Sequence, residues 1–148
     1  MEVRAIEFTI PGKPIAMQRH RSFIKGGKIA KFNPQDKLKK QKQIEVKILT
    51  DIKKPITHPI NLIFHFFFKR PKNHFGTGKN SEILKESAPQ YHIIRPDTDN
   101  MVKFYMDVFN GIIYHDDSQV INLIAHKRYC QNNDVECTQV SVFTPATF

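Results

Sequence analysis

Five aspartates crowd one short stretch of a chain that is otherwise strongly basic. Asp97, Asp99, Asp107, Asp116 and Asp117 are among only 14 acidic residues, against 23 lysines and arginines and a net charge of +9. Carboxylates held close together repel one another unless a positive charge sits among them. Three or four that converge, with oxygen ligands and neither His nor Cys, suit a hard divalent cation such as Mg²⁺ or Mn²⁺. An ion of that kind can bind phosphate oxygens and activate water for in-line attack.

Spacing decides which carboxylates can meet. Asp97 and Asp99 flank Thr98 in an extended segment after Pro96, and alternate residues of an extended chain face the same side. Asp99 then opens a helix predicted over residues 99–110. At about 100° per residue, Asp99, Lys103 and Asp107 fall at roughly 0°, 40° and 80°. They form a stripe opposite the apolar positions Met101, Phe104, Tyr105, Val108 and Phe109. Asp116 and Asp117 follow a short strand, 112–114, that comes directly after the helix, so a carboxylate from that turn can return to the Asp97/Asp99 end. Lys103, between the acids, can hold a water or stabilise a pentacovalent transition state. Each feature also has a plainer origin. Thr98 or Asp99 can serve as an N-cap, Asp99–Lys103–Asp107 as i,i+4 ion pairs, and Asp116-Asp117 as turn residues.

The elements that must carry these residues follow from periodicity. Residues 3–10 alternate with Ile6, Phe8 and Ile10 on one face, a first strand ended by Pro11-Gly12. Gly26-Gly27 marks a mobile turn. Asn33 as N-cap and Pro34 as first helical residue start a helix that runs to about Ile52, with Leu38, Ile44, Ile48 and Leu49 as its apolar positions. Residues 60–69 read as a central strand covered on both faces, in which His65 is a satisfied core histidine. Residues 70–92 form a long polar segment expected to be mobile without a ligand. Strands are predicted at 119–129 and 135–143. The order β-α-β-loop-α-β-β-β gives an α+β class: a single mixed sheet with two main helices packed on it, in one domain over residues 1–148.

Composition narrows the partners. The positive excess points to a polyanion, with nucleic acid ahead of an anionic membrane surface. Ten lysines fall between Lys25 and Lys54. Cys130 and Cys137 lack zinc-ligand spacing and read as free thiols of a reducing compartment. No signal peptide or membrane-spanning run is visible, so a soluble cytoplasmic protein is expected.

The segment RPDTDNMVKFYMDVFNGIIYHDDSQV, residues 95–120, resembles the signature of the RusA family of Holliday-junction resolvases. Its Pro-Asp-x-Asp-Asn start, the Lys four residues on, the Asp four further, the Asn-Gly and the Asp-Asp-x-Gln-Val end occur in that order. GKPIAMQRHR also resembles the family's opening. The resemblance implies a RusA-like fold and a homodimeric, Mg²⁺-dependent endonuclease that cuts four-way DNA junctions symmetrically in recombination or repair, with prophages a frequent setting. It places catalytic groups at Asp97, Asp99, Lys103 and Asp117 and metal ligands at Asp97, Asp99, Asp117 and Asp116. Asp107 is a positioning partner of Lys103, and Lys13, Arg19, Arg21, Lys31 and Arg95 are the expected DNA contacts. Two alternatives stay open: a branched-DNA-binding accessory protein without catalysis, and a nuclease for flaps or forks.

Overall fold

Apolar alternation sets the centre of the structure. The computed structural model describes residues 5–146; residues 3 and 4, expected in the first strand, lie outside them. The order is β1 (Ala5–Pro11), β2 (Arg21–Lys25), β3 (Lys28–Phe32), α1 (Asp36–Thr50), β4 (Ile60–Phe68), α2 (Thr98–Phe109), β5 (Val120–Tyr129) and β6 (Cys137–Phe143). The class is α+β, with two helices on a mixed sheet of order β1-β6-β4-β5. β4 runs parallel to β5 and antiparallel to β6.

Ile60, Leu62, Phe64, Phe66 and Phe68 share one face of β4, and all are buried. α2 lays Met101, Phe104, Tyr105, Val108 and Phe109 onto them. Phe64 is central: its ring stacks on Phe66 at 5.3 Å and on Phe109 at 5.9 Å. Both helices pack against this side, so the opposite face of β4 is not covered as expected. Ile63, His65 and Phe67 are only half-buried there. His65 is therefore a residue of an open sheet face, its ring stacked on His126 at 4.7 Å, and not a core histidine.

Four other expectations change. α1 starts at Asp36, not Pro34, because Asn33 Oδ1 accepts the Gln35 N–H at 2.9 Å and closes a preceding turn. Its buried residue is Val46, while Ile44 and Ile48 are exposed. Residues 112–114 are a turn rather than a strand, since the N–H groups of Ile112 and Ile113 both return to the Phe109 carbonyl at 3.0 Å. The stretch around Gly26-Gly27 is a hairpin that the sequence reading missed. Both glycines have positive φ (57° and 76°), the backbone a two-residue hairpin turn requires.

The long polar segment is also organised. Arg70 is buried, donating to the Cys130 and Pro89 carbonyls at 2.7 Å each, and two 3-10 turns, Lys72–His74 and Gly78–Asn80, follow it. At its end the His92 ring lies on Phe68 at 4.0 Å, and its Nδ1 is buried without a hydrogen-bond partner among the described residues. Burial, and then the charge of Lys127, pushes the His92 pKa down. The unfolded chain then binds that proton more readily than the native state. This contribution to stability is intact above the unfolded value of about 6.5 and is lost as pH falls below it. The urea midpoint is expected to drop between about pH 7.5 and 5, and His92→Phe to lessen the drop. Equal declines in both proteins would remove His92 from this account.

Candidate active site

α2 begins one residue earlier than expected, with Asp97 at the N-cap position. The Asp97 carbonyl accepts the Met101 N–H at 3.2 Å, but its carboxylate makes no capping bond. Capping therefore does not account for that carboxylate. From Thr98 onward the helical stripe is as the spacing predicts. Asp99, Lys103 and Asp107 line one cleft of about 470 Å³, whose apolar wall includes Val102, Met106 and Leu123 of β5. Asp117 lines the same cleft.

A short chain of hydrogen bonds brings Asp117 there. Gly111, at φ 78°, turns the chain out of α2, and its N–H donates to the Tyr114 carbonyl at 2.7 Å. The Tyr114 hydroxyl donates to the Met106 carbonyl at 3.0 Å, which fixes the turn against the second half of the helix. Gln119 secures the next residues. Its Oε1 accepts the N–H groups of His115 and Asp116 at 2.8 and 3.1 Å, and its Nε2 donates to the carbonyls of Ile56 and His58 at 2.9 and 3.1 Å. The Tyr114 phenol registers the result. Its pKa is pushed far up by burial, and further by the charges of Asp117, Asp107 and Asp116.

Not every expected residue joins the cleft. Asp116 is exposed and caps the 3-10 turn Asp117–Gln119, its carboxylate accepting the Ser118 N–H at 3.2 Å. Hydrogen bonds from Ser118 hold its pKa below the usual range. Asp107 pairs with Lys39 of α1 at 3.1 Å rather than with Lys103. Asp97 lies beside Lys127 of β5, whose ammonium donates to the Ile94 carbonyl. Burial lowers the Lys127 pKa and the charge of Asp97 opposes that.

Among the described residues, no three Asp, Glu, His or Cys side chains stand close enough to hold one ion together. Asp107 also lines the cleft but is held by Lys39, so the expected convergence of three or four carboxylates leaves Asp99 and Asp117 facing one cleft beside Lys103. That donor set still fits Mg²⁺ chemistry. Mg²⁺ is usually held by one or two carboxylates, with water and substrate phosphate completing its shell.

The basic residues expected to contact DNA lie at the surface. Lys13, Arg19, Arg21, Lys31 and Arg95 are all exposed. The segment after β1 runs past the start of α2, where Met17 N–H donates to the Asn100 carbonyl at 2.9 Å and Ile15 N–H to the Tyr105 hydroxyl at 3.0 Å. Gln35 then ties together the two legs of the β2–β3 ribbon. Its Oε1 accepts the Gln18 N–H at 2.7 Å and its Nε2 donates to the Ala16 carbonyl at 2.8 Å.

Sequence reasoning missed Lys127 and Gln35, and met Gln119 only as part of the family motif. Lys127 left one signal: it occupies the parity of Leu123 and Ala125 along β5, a lysine where the alternation calls for an apolar residue. Gln35 left none, because its partners are backbone groups distant in sequence.

An acid-lined cleft that also holds Lys103, in a domain of net charge +9 with many exposed lysines and arginines, is the arrangement of a nuclease. The family model of endodeoxyribonuclease RusA matches residues 11–138, and the chain belongs to that family of Holliday-junction resolvases. It is also 35% identical over 137 residues to the uncharacterized protein YqaN of Bacillus subtilis (strain 168), covering 88% of this chain and 92% of that one. Among the described residues, no helix is long and apolar enough to cross a membrane.

Proposed function

We propose that this endodeoxyribonuclease is Mg²⁺-dependent, with Mn²⁺ as a substitute, and resolves four-way DNA junctions by paired symmetric nicks, as a homodimer, in recombination or repair. The observation that carries this reading is the shared cleft: Asp99 and Asp117 line it together with Lys103. Asp99 and Asp117 would hold the ion, with Asp97 at its border. Such an ion supplies charge neutralisation at a phosphate and a lowered pKa for attacking water.

The chain's own residues do the rest. Lys103 donates to a non-bridging phosphate oxygen as negative charge builds on it. Lys39 holds Asp107 at 3.1 Å, which leaves the Lys103 ammonium free for the substrate. Lys13, Arg19, Arg21, Lys31 and Arg95 bind the backbone and fix its register, without reading bases. The uncovered sheet face, with Ile63, Phe67 and Ile124, supports a second copy there, and a two-fold axis would give each strand of matching polarity its own cleft.

The test is one set of labelled substrates: a four-way junction, a flap, a fork and a linear duplex, each with and without Mg²⁺. Paired nicks in the junction alone, and only with the ion, are expected. Cutting of flaps or forks in preference to junctions would move the protein to that class. Salt-sensitive binding with no nicked product under any ion would make it an accessory factor instead.

A further inference from the structure

The β2–β3 ribbon is not accounted for by the cleft. All its strand residues are exposed except Ala30, which is half-buried, and it pairs with no strand of the main sheet. Its only described ring contact is internal, Phe23 against Phe32 at 5.9 Å. That pair lies on one face, with Arg21 and Ala30. On the other face Ile24 and Ile29 are directly cross-strand neighbours, one pair back from the Lys25-Gly26-Gly27-Lys28 turn. They are 78% and 74% exposed. Two isoleucines side by side at a tip, with none of the described residues covering them, are costly to leave in water.

The surroundings of that tip say what covers it. From Phe8 to Gln35 the chain has no acidic residue, while Lys13, Arg19, Arg21, Lys25, Lys28 and Lys31 all fall there. A polyanion is the complementary partner. The base of the ribbon is clamped by Gln35 and stands next to Asn100 at the start of α2, the end that carries Asp97 and Asp99. Five-residue strands reach roughly 17 Å, the span of a few base pairs of DNA.

We infer that Ile24 and Ile29 form an apolar wedge that fills the space between unstacked bases at a DNA branch point, and that this wedge gives the enzyme its preference for branched over linear DNA. This rests on the reading of the cleft as a DNA-cutting site. Lysines on phosphates grip any duplex equally. Apolar side chains gain only where bases are already parted, because in a linear duplex each opened step costs a few kcal/mol of stacking. At a branch point that cost is already met by the DNA. A two-stranded ribbon is narrow enough to enter the major groove beside it.

The test compares the full-length protein with Ile24→Ser/Ile29→Ser, binding a four-way junction and a linear duplex of matched arms without divalent ion. A 2-aminopurine at the branch reports unstacking. Both positions are exposed, and an unchanged thermal midpoint checks that the fold is intact. The variant is expected to lose junction affinity about tenfold, with duplex affinity within about twofold and the 2-aminopurine rise abolished. Ile24→Met/Ile29→Met is expected to restore all three. Lys25→Gln/Lys28→Gln is expected to weaken both DNAs alike and reduce the salt slope by about two. Unchanged junction preference in the serine variant would overturn the wedge and leave the cleft assignment standing. A wild-type protein with no junction preference would also overturn the wedge, and one that binds neither DNA would overturn both. Preferential binding of wild type to anionic phospholipid vesicles over either DNA would overturn the wedge in favour of a membrane surface.

Discussion

Asp99→Asn is expected to cut four-way junctions at least ~10³-fold more slowly than wild type at saturating Mg²⁺, a loss of about 4 kcal/mol of transition-state stabilisation. Asparagine keeps the size of the side chain and removes the charge that would hold the ion. Junction binding without metal is expected to hold or tighten, since one fewer negative charge then faces the DNA backbone. The deficit belongs in kcat rather than in affinity. Asp117→Asn is expected to follow the same pattern, and Asp97→Asn, from the cleft's border, to lose activity less steeply. Asp116→Asn is the control from the same motif. Its carboxylate caps a turn at the surface and does not line the cleft, so cleavage is expected to stay within a few-fold of wild type. Single-turnover cleavage of all four variants decides the matter. An Asp99→Asn protein that cuts within tenfold of wild type, or an Asp116→Asn protein that is equally dead, would unseat the geometry assigned to the site.

Phe64→Ala is expected to be the most damaging core substitution. Phe64 is completely buried, and its ring touches those of Phe66, Tyr105 and Phe109, so it joins β4 to the helix that carries the acids. Truncating a ring in such a place costs about 3–5 kcal/mol, from lost burial and from the cavity left behind. For a chain of this size that lowers Tm by roughly 10–15 °C. Residual folded protein should also lose cleavage, because α2 is seated on that ring and a shift of about 1 Å at the catalytic stripe is enough to slow the reaction about a hundredfold. Calorimetry and cleavage at 15 °C read the two effects separately. A drop of less than about 1 kcal/mol would show that the core closes around the gap. Normal cleavage by the folded fraction would show that α2 does not depend on this ring for its position.

Much of the site was legible before any coordinates. The i,i+4 spacing of Asp99, Lys103 and Asp107 fixes their common face through helix geometry alone, and the structure keeps that stripe. The same holds for β4, where five apolar residues at period two specify a buried face. The second face misled because Ile63 and Phe67 are apolar without being covered. Composition states which residues favour burial, not whether another layer exists to bury them. α1 misled for a related reason: Ile44 and Ile48 suggested the inner face, yet the helix turns Val46 inward and holds Asp107 with Lys39. The ribbon escaped because two short strands around Gly26-Gly27 lack the length and contrast that alternation needs.

The sequence by itself determined the chemistry on offer, most of the local elements and the family, because residue type, helical period and ordered motifs are properties of neighbouring positions. Only the tertiary structure decided which acids share the cleft, that Asp107 is diverted into a pair with α1, and that two isoleucines stand bare on a basic arm. Those outcomes depend on contacts between distant segments, such as Gln119 with Ile56 or Gln35 with Ala16. Each is a hydrogen bond to a backbone group, and a backbone carbonyl looks the same at every position of the chain.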